Sequence, residues 1–89
     1  MIVKIKKQNY YVGDFDEVKE LFVDTNNVIA VSEVITKKSR LKADDEKQIF
    51  QIWFNAKDTW DVLAECYDDF VAAWTYGRME ATKMKPLYS

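Results

Sequence analysis

The sequence predicts an α+β fold: a small antiparallel sheet of about four strands, with one amphipathic C-terminal helix packed on one face. Three observations predict it. Residues 28–36 and 48–55 are dense in β-branched and aromatic side chains, as strands are. From Tyr67 onward, Tyr67, Phe70, Val71 and Trp74 recur at helical spacing. The chain has 89 residues, 48% apolar and 31% charged, which suits one globular core rather than two domains or a disordered chain. The expected domain covers residues 1–77, with a tail at 78–89.

At the N-terminus, Val3 and Ile5 alternate with Lys4 and Lys6, a strand with one solvated face. Asn9, Tyr10, Tyr11 and Val12 continue it or begin its partner, and Gly13-Asp14 breaks the run. Residues 14–22 have two readings. Asp14 and Glu17 have capping-box spacing, with Phe15, Val18 and Phe22 on one helical face. Alternatively, Glu20-Leu21-Phe22-Val23 is a short strand before a turn at Asp24-Thr25-Asn26-Asn27. A brief helical start feeding a short strand is the favoured combination.

Residues 28–36 form the clearest strand. Residues 36–47 are polar and aperiodic, so they are expected as a mobile, solvated loop. In the strand 48–55, Phe50, Ile52 and Phe54 share one face, while Ile49, Gln51 and Trp53 share the other. Residues 59–76 have two readings as well. Trp60, Leu63, Ala64, Tyr67, Phe70, Val71 and Trp74 fit one long helix. A strand at 59–63, paired with 48–55 through Ala56-Lys57-Asp58 and followed by a helix from Tyr67, fits too. Both readings close the helix at Gly77. Met79, Met84, Leu87 and Tyr88 are scattered through the tail, and Pro86 stops any helix there.

The stretch Leu21-Phe22-Val23-Asp24-Thr25-Asn26-Asn27-Val28-Ile29-Ala30-Val31, followed later by Val62-Leu63-Ala64-Glu65-Cys66-Tyr67-Asp68-Asp69-Phe70, resembles small β-rich proteins of the flagellar FlbD-like type and small accessory proteins of phages and prophages. The resemblance covers about residues 20–72 and rests on turn and strand chemistry. It implies a short strand, a polar turn, a second strand, a hairpin and an acidic helix start. The loop at 36–47 and the tail depart from it. It carries over no functional residue.

Catalysis finds little to stand on. There is no histidine, no glycine-rich phosphate loop and one cysteine, Cys66, whose neighbours Glu65 and Asp68 disfavour a thiolate. Cys66 reads as a small buried hydrophobe. Asp44-Asp45-Glu46 lacks the alternating spacing and turn glycine of a calcium loop. No cofactor or metal is expected, and no enzyme activity. A single cysteine rules out an internal disulfide, and no apolar run reaches membrane-spanning length. The expectation is a cytoplasmic protein, in the host cytoplasm if phage-encoded, with no membrane partner.

What remains is binding. Net charge is −2, with eight Lys/Arg against six Asp/Glu in residues 1–42 and five against nine in residues 43–89. That balance disfavours general polyanion binding. The first reading is a protein partner, self-association as a dimer included, whose effect would be to modulate or inhibit a host protein. Trp53 would anchor it if the second sheet face is open. That face is otherwise covered by residues 14–22 or by the tail. Asp61, Glu65 and Asp68, at i, i+4 and i+7 of a helix, with Asp69, would form an acidic docking face. The alternative is a single-stranded nucleic-acid binder using Lys4, Lys6, Lys7, Tyr10, Tyr11, Lys37, Lys38, Arg40 and Lys42, cations beside rings that can stack on bases.

Overall fold

The structure, a computed structural model, describes residues 1–42 and 44–84. The elements in order are β1 (Ile2–Tyr11), β2 (Asp14–Asp24), a 3-10 turn (Thr25–Asn27), β3 (Ala30–Val31), β4 (Ile35–Lys38), β5 (Glu46–Trp53), β6 (Thr59–Leu63), a second 3-10 turn (Ala64–Cys66) and the helix α1 (Tyr67–Met84). The class is α+β as expected, but the sheet has six strands, not four. It runs β2-β1-β6-β5-β3, with β4 also pairing β5, and every pairing is antiparallel.

Three expectations are corrected, and one choice between two readings is decided. Residues 14–22 form no helix. They belong to β2, which pairs with β1 from Ile2↔Asp24 to Tyr11↔Asp14. Asp14 therefore caps nothing helical, and the two-residue turn Val12-Gly13 closes the hairpin. The strand at 28–36 is broken. Val31 faces Ile52 and Ile35 faces Ile49, so this side carries one more residue than β5 between those pairs, a bulge. Ser32 bridges it: its amide donates to the Gln51 carbonyl and its hydroxyl accepts from the Gln51 amide, both at 2.8 Å. The polar loop is shorter than 36–47 because both ends join the ladder, down to Lys38↔Glu46. Last, residues 59–63 are the strand β6, as the second reading had it, and α1 starts at Tyr67.

Gly77 does not end the helix. Its φ is not positive, and α1 continues to Met84 through the expected boundary at 77/78. Here the helix crosses the first 3-10 turn, and a Cβ on Gly77 would lie 3.4 Å from Thr25 Oγ1, an ordinary contact. The part of the expected tail at 85–89, with Pro86, Leu87 and Tyr88, lies outside the described residues.

The first sheet face carries the core. Ile5, Val23, Val28, Phe50, Ile52, Val62 and Phe70 form one buried cluster, with Tyr67 and Trp74 of α1 packed against it. The Phe50 ring meets Tyr67 edge-on at 5.1 Å and Phe70 at 5.7 Å. The Trp74 indole donates to the Val28 carbonyl at 2.9 Å, pinning the helix to the chain before β3. Phe54 meets Trp60 edge-on at 4.8 Å and packs at the margin of the same cluster. Val71 is half-buried.

The second face is closed by the sheet itself. Outer strands β2 and β4 are four strand spacings apart, about 19 Å in a flat sheet. Yet the Ser39 hydroxyl, just past β4, donates to the Asp14 carboxylate at the start of β2 at 3.1 Å. The sheet must curl for these atoms to meet. The curl accounts for Ile49, which alternates onto the second face and is 0% exposed although the helix lies on the other side.

Candidate functional site

Inside the curl lies a polar cluster built from five strands, β1, β2, β4, β5 and β6. Asp61 on β6, 8% exposed, accepts from the Tyr10 hydroxyl, from Lys37 Nζ at 3.2 Å and from Gln51 Nε2 at 3.3 Å. Gln8, 1% exposed, sits at the β1 bulge, where the register shifts between Gln8 and Tyr10. Its amide donates to the carbonyls of Asn9 and Asp16, and its oxygen accepts from Lys47 Nζ at 2.6 Å. Lys37 and Lys47 face each other across β4 and β5, a like-charge pairing that costs stability by itself. Each is offset by an acceptor and a ring: Lys37 lies 4.1 Å over Tyr10, and Lys47 lies 5.2 Å over Phe15. Burial, then donation to Asp61 and the charge of Asp61, push the Tyr10 hydroxyl well above the ordinary tyrosine range. Every buried side-chain nitrogen and oxygen among the described residues has a partner. The cluster is therefore a brace in which each buried polar side-chain atom is held by another group of the fold.

The brace brings two hairpin ends together. At the first, Val12 has φ 52° and Gly13 φ 80°, left-handed at both positions as a type I′ turn requires. At the second, Ser39 acts as a pin. Its hydroxyl donates to Asp14 and accepts from the amides of Leu41 at 3.2 Å and Lys42 at 3.0 Å. The Ser39 amide donates to the Asp45 carbonyl at 2.8 Å, closing the loop. The Asp14 carboxyl lies below the usual carboxylate range because the Phe15 amide, the Ser39 hydroxyl and the backbone of Arg40 and Leu41 donate to it. The Arg40 side chain lies across Gly13, its Nη1 2.6 Å from where a Cβ would stand.

The outcome is a concave, mainly apolar tip of about 390 Å³ lined by Tyr11, Val12, Asp14, Arg40 and Leu41. Leu41 is 84% exposed, Val12 78% and Tyr11 73%. A second cleft of about 520 Å³ opens where β1 leaves β6 beyond Lys7↔Val62, between Tyr10, Asn9, Trp60 and Asp61.

The expected site residues are scattered by this geometry. Asp61, Glu65, Asp68 and Asp69 share no helical face: Asp61 is in β6 and buried, Glu65 is in a 3-10 turn and pairs with Lys6 at 3.3 Å, and Asp68 and Asp69 lie in the first turn of α1. There the two aspartates oppose the positive end of the helix dipole. Trp53 is half-buried at the end of β5 remote from the tip, seven residues from Glu46, or about 24 Å. Residues 14–22 help to close the second face as part of the outer strand β2, not as the helix expected there. The basic set is divided too. Lys4 pairs with Glu20 at 2.9 Å, Lys6 with Glu65 and Lys37 with Asp61, while Lys7 lies 4.7 Å over Trp60. Only Tyr11, Lys38, Arg40 and Lys42 from that set gather at the hairpin ends, all exposed.

Val12 and Leu41 escape sequence reasoning because each is a lone apolar residue among turn or loop signals. The one available clue is Val12-Gly13, a β-branched residue where Asn or Asp is preferred. Cys66 is half-buried against the core. Among the described residues no cluster of three or more Cys, His, Asp or Glu could hold a metal ion, and no helix is long and apolar enough to cross a membrane. No protein-family model matches the chain, and neither a curated protein nor a solved structure is significantly similar to it.

Proposed function

We propose that this chain is a non-catalytic protein-binding module that engages its partner through the paired hairpin tip. One observation carries the reading: Val12 is at once strained and exposed. A β-branched residue at φ 52° costs of the order of 1 kcal/mol, and 78% exposure gives it little burial in return. Asn at that position would relieve the strain. Beside Tyr11 and Leu41 the valine gains a purpose, since clustered exposed apolar side chains mark contact surfaces. The brace beneath the tip fixes its shape before binding, which lowers the entropy lost in the complex.

The resemblance of residues 20–72 to small flagellar and phage accessory proteins supports the same reading. Such a protein acts by occupying a surface of a larger protein and so modulating or inhibiting it. Nucleic acid is the weaker reading, because Lys4, Lys6 and Lys37 are already paired with carboxylates.

The test is capture from a nuclease-treated bacterial lysate, with the wild-type chain and a Val12→Asn/Leu41→Ser double variant as baits. A protein held by the wild type and lost by the variant supports the tip. Equal capture by both baits overturns it, and binding abolished by nuclease alone returns the argument to nucleic acid.

A further inference from the structure

We propose that the tip receives an acidic segment bearing one large apolar side chain, with Arg40 as the residue that reads the acid. The proposal rests on the tip reading above and adds the chemistry of the partner. Three features point to it. The exposed side chains of the tip enclose a hollow. Tyr11, Val12 and Leu41 bound a hollow of about 390 Å³, room for one or two side chains. Arg40 lines the same pit, and Lys38 and Lys42 flank it in the chain. Among the described residues none of these three cations takes part in an ion pair, whereas Lys4, Lys6, Lys19 and Lys37 all do. Finally, the one carboxylate in the lining, Asp14, accepts from Ser39 and from the Phe15 amide and forms no ion pair with Arg40.

An apolar side chain entering the pit would bring its neighbouring carboxylates within reach of the Arg40 guanidinium, whose planar fork binds carboxylate through two parallel hydrogen bonds. An anionic membrane surface shares the taste for basic and apolar residues. It fits less well here. A bilayer presents a broad, flat interface and gains little from a hollow with room for one or two side chains.

The test uses the full chain, amide spectra and two synthetic probes. One is a ten-residue capped peptide with a central Leu-Phe pair flanked by glutamates; the other carries glutamine in place of each glutamate. The acidic probe should shift the amides of Tyr11, Val12, Arg40 and Leu41 and bind at least tenfold tighter than the glutamine probe. That advantage should collapse in Arg40→Glu, persist in part in Arg40→Lys and fade in 0.5 M salt. Equal binding of both probes at the tip overturns the acidic specificity while leaving the tip as a binding site. Acidic-probe binding undisturbed by Val12→Asn/Leu41→Ser overturns both. Stronger shifts at the tip from vesicles with one-third phosphatidylserine than from the acidic probe would assign the surface to lipid and overturn the proposal.

Discussion

Val12 does nothing favourable for its own hairpin. Asparagine tolerates φ 52° and suits the first position of a type I′ turn, so Val12→Asn should raise stability by about 0.5–1 kcal/mol, read as a higher melting temperature. A drop in melting temperature would mean that Val12 packs in the fold rather than waiting for a partner. Tyr10 and Asp14 tie the tip to pH in opposite ways. The Tyr10 hydroxyl titrates above its unfolded value, so its contribution is complete below the ordinary tyrosine range and is lost as pH rises through and beyond it. Absorbance of tyrosinate during an alkaline titration should show one tyrosine ionising late, together with unfolding, and Tyr10→Phe should remove that late step. Asp14 titrates below its unfolded value, so its contribution is present above the usual carboxylate range and is lost as pH falls through the folded value. The Ser39 and Leu41 amide shifts should follow that protonation.

In α1, Phe70 is 0% exposed and meets Phe50 across the first face. Phe70→Ala should cost about 3–5 kcal/mol in a denaturant melt. Gly77→Ala should do the opposite, gaining up to about 1 kcal/mol, because the position is interior helix with ordinary clearance to Thr25. A loss there would restore Gly77 to the helix-ending role its sequence position implies. The stripe Tyr67, Phe70, Trp74 is legible in the sequence because one solvated side leaves its period intact. The strand β6 is legible only as one of two readings, because Trp60 and Leu63 also match the helical spacing of the residues that follow. Its alternation is blurred further by Asp61, a buried carboxylate where a periodicity argument expects either an apolar residue or a solvated one. The β1–β2 hairpin hides for a similar reason. Charged residues such as Glu17, Lys19 and Glu20 cover β2, which suits an outer strand that must resist pairing with other chains.

The sheet as a whole folds a polar surface inward. That is why the apolar residues on both sides of β5, for which an open second face anchored by Trp53 is one of three sequence readings, do not leave Ile49 exposed. Ile49 is enclosed by the curl, and the neighbouring positions Lys47 and Gln51 join the cluster around Gln8 and Asp61. The contact of Asp14 with Ser39 lies beyond local sequence patterns, because it joins residues 25 apart whose strands sit on opposite edges. On this account Asp61 matters to shape as well as to stability. Asp61→Ala strips the acceptor from Tyr10, Lys37 and Gln51, and should cost about 2 kcal/mol while loosening the two hairpin ends from each other. The most direct measurement is the nuclear Overhauser effect between the hairpin ends in the wild-type chain, from Gly13 Hα to the Arg40 side chain and from the Tyr10 ring to Lys37. Strong cross-peaks at both places, weakened in Asp61→Ala, are the expected result. Their absence from an otherwise folded wild-type spectrum would mean two independent hairpins, and the tip would not exist as one surface.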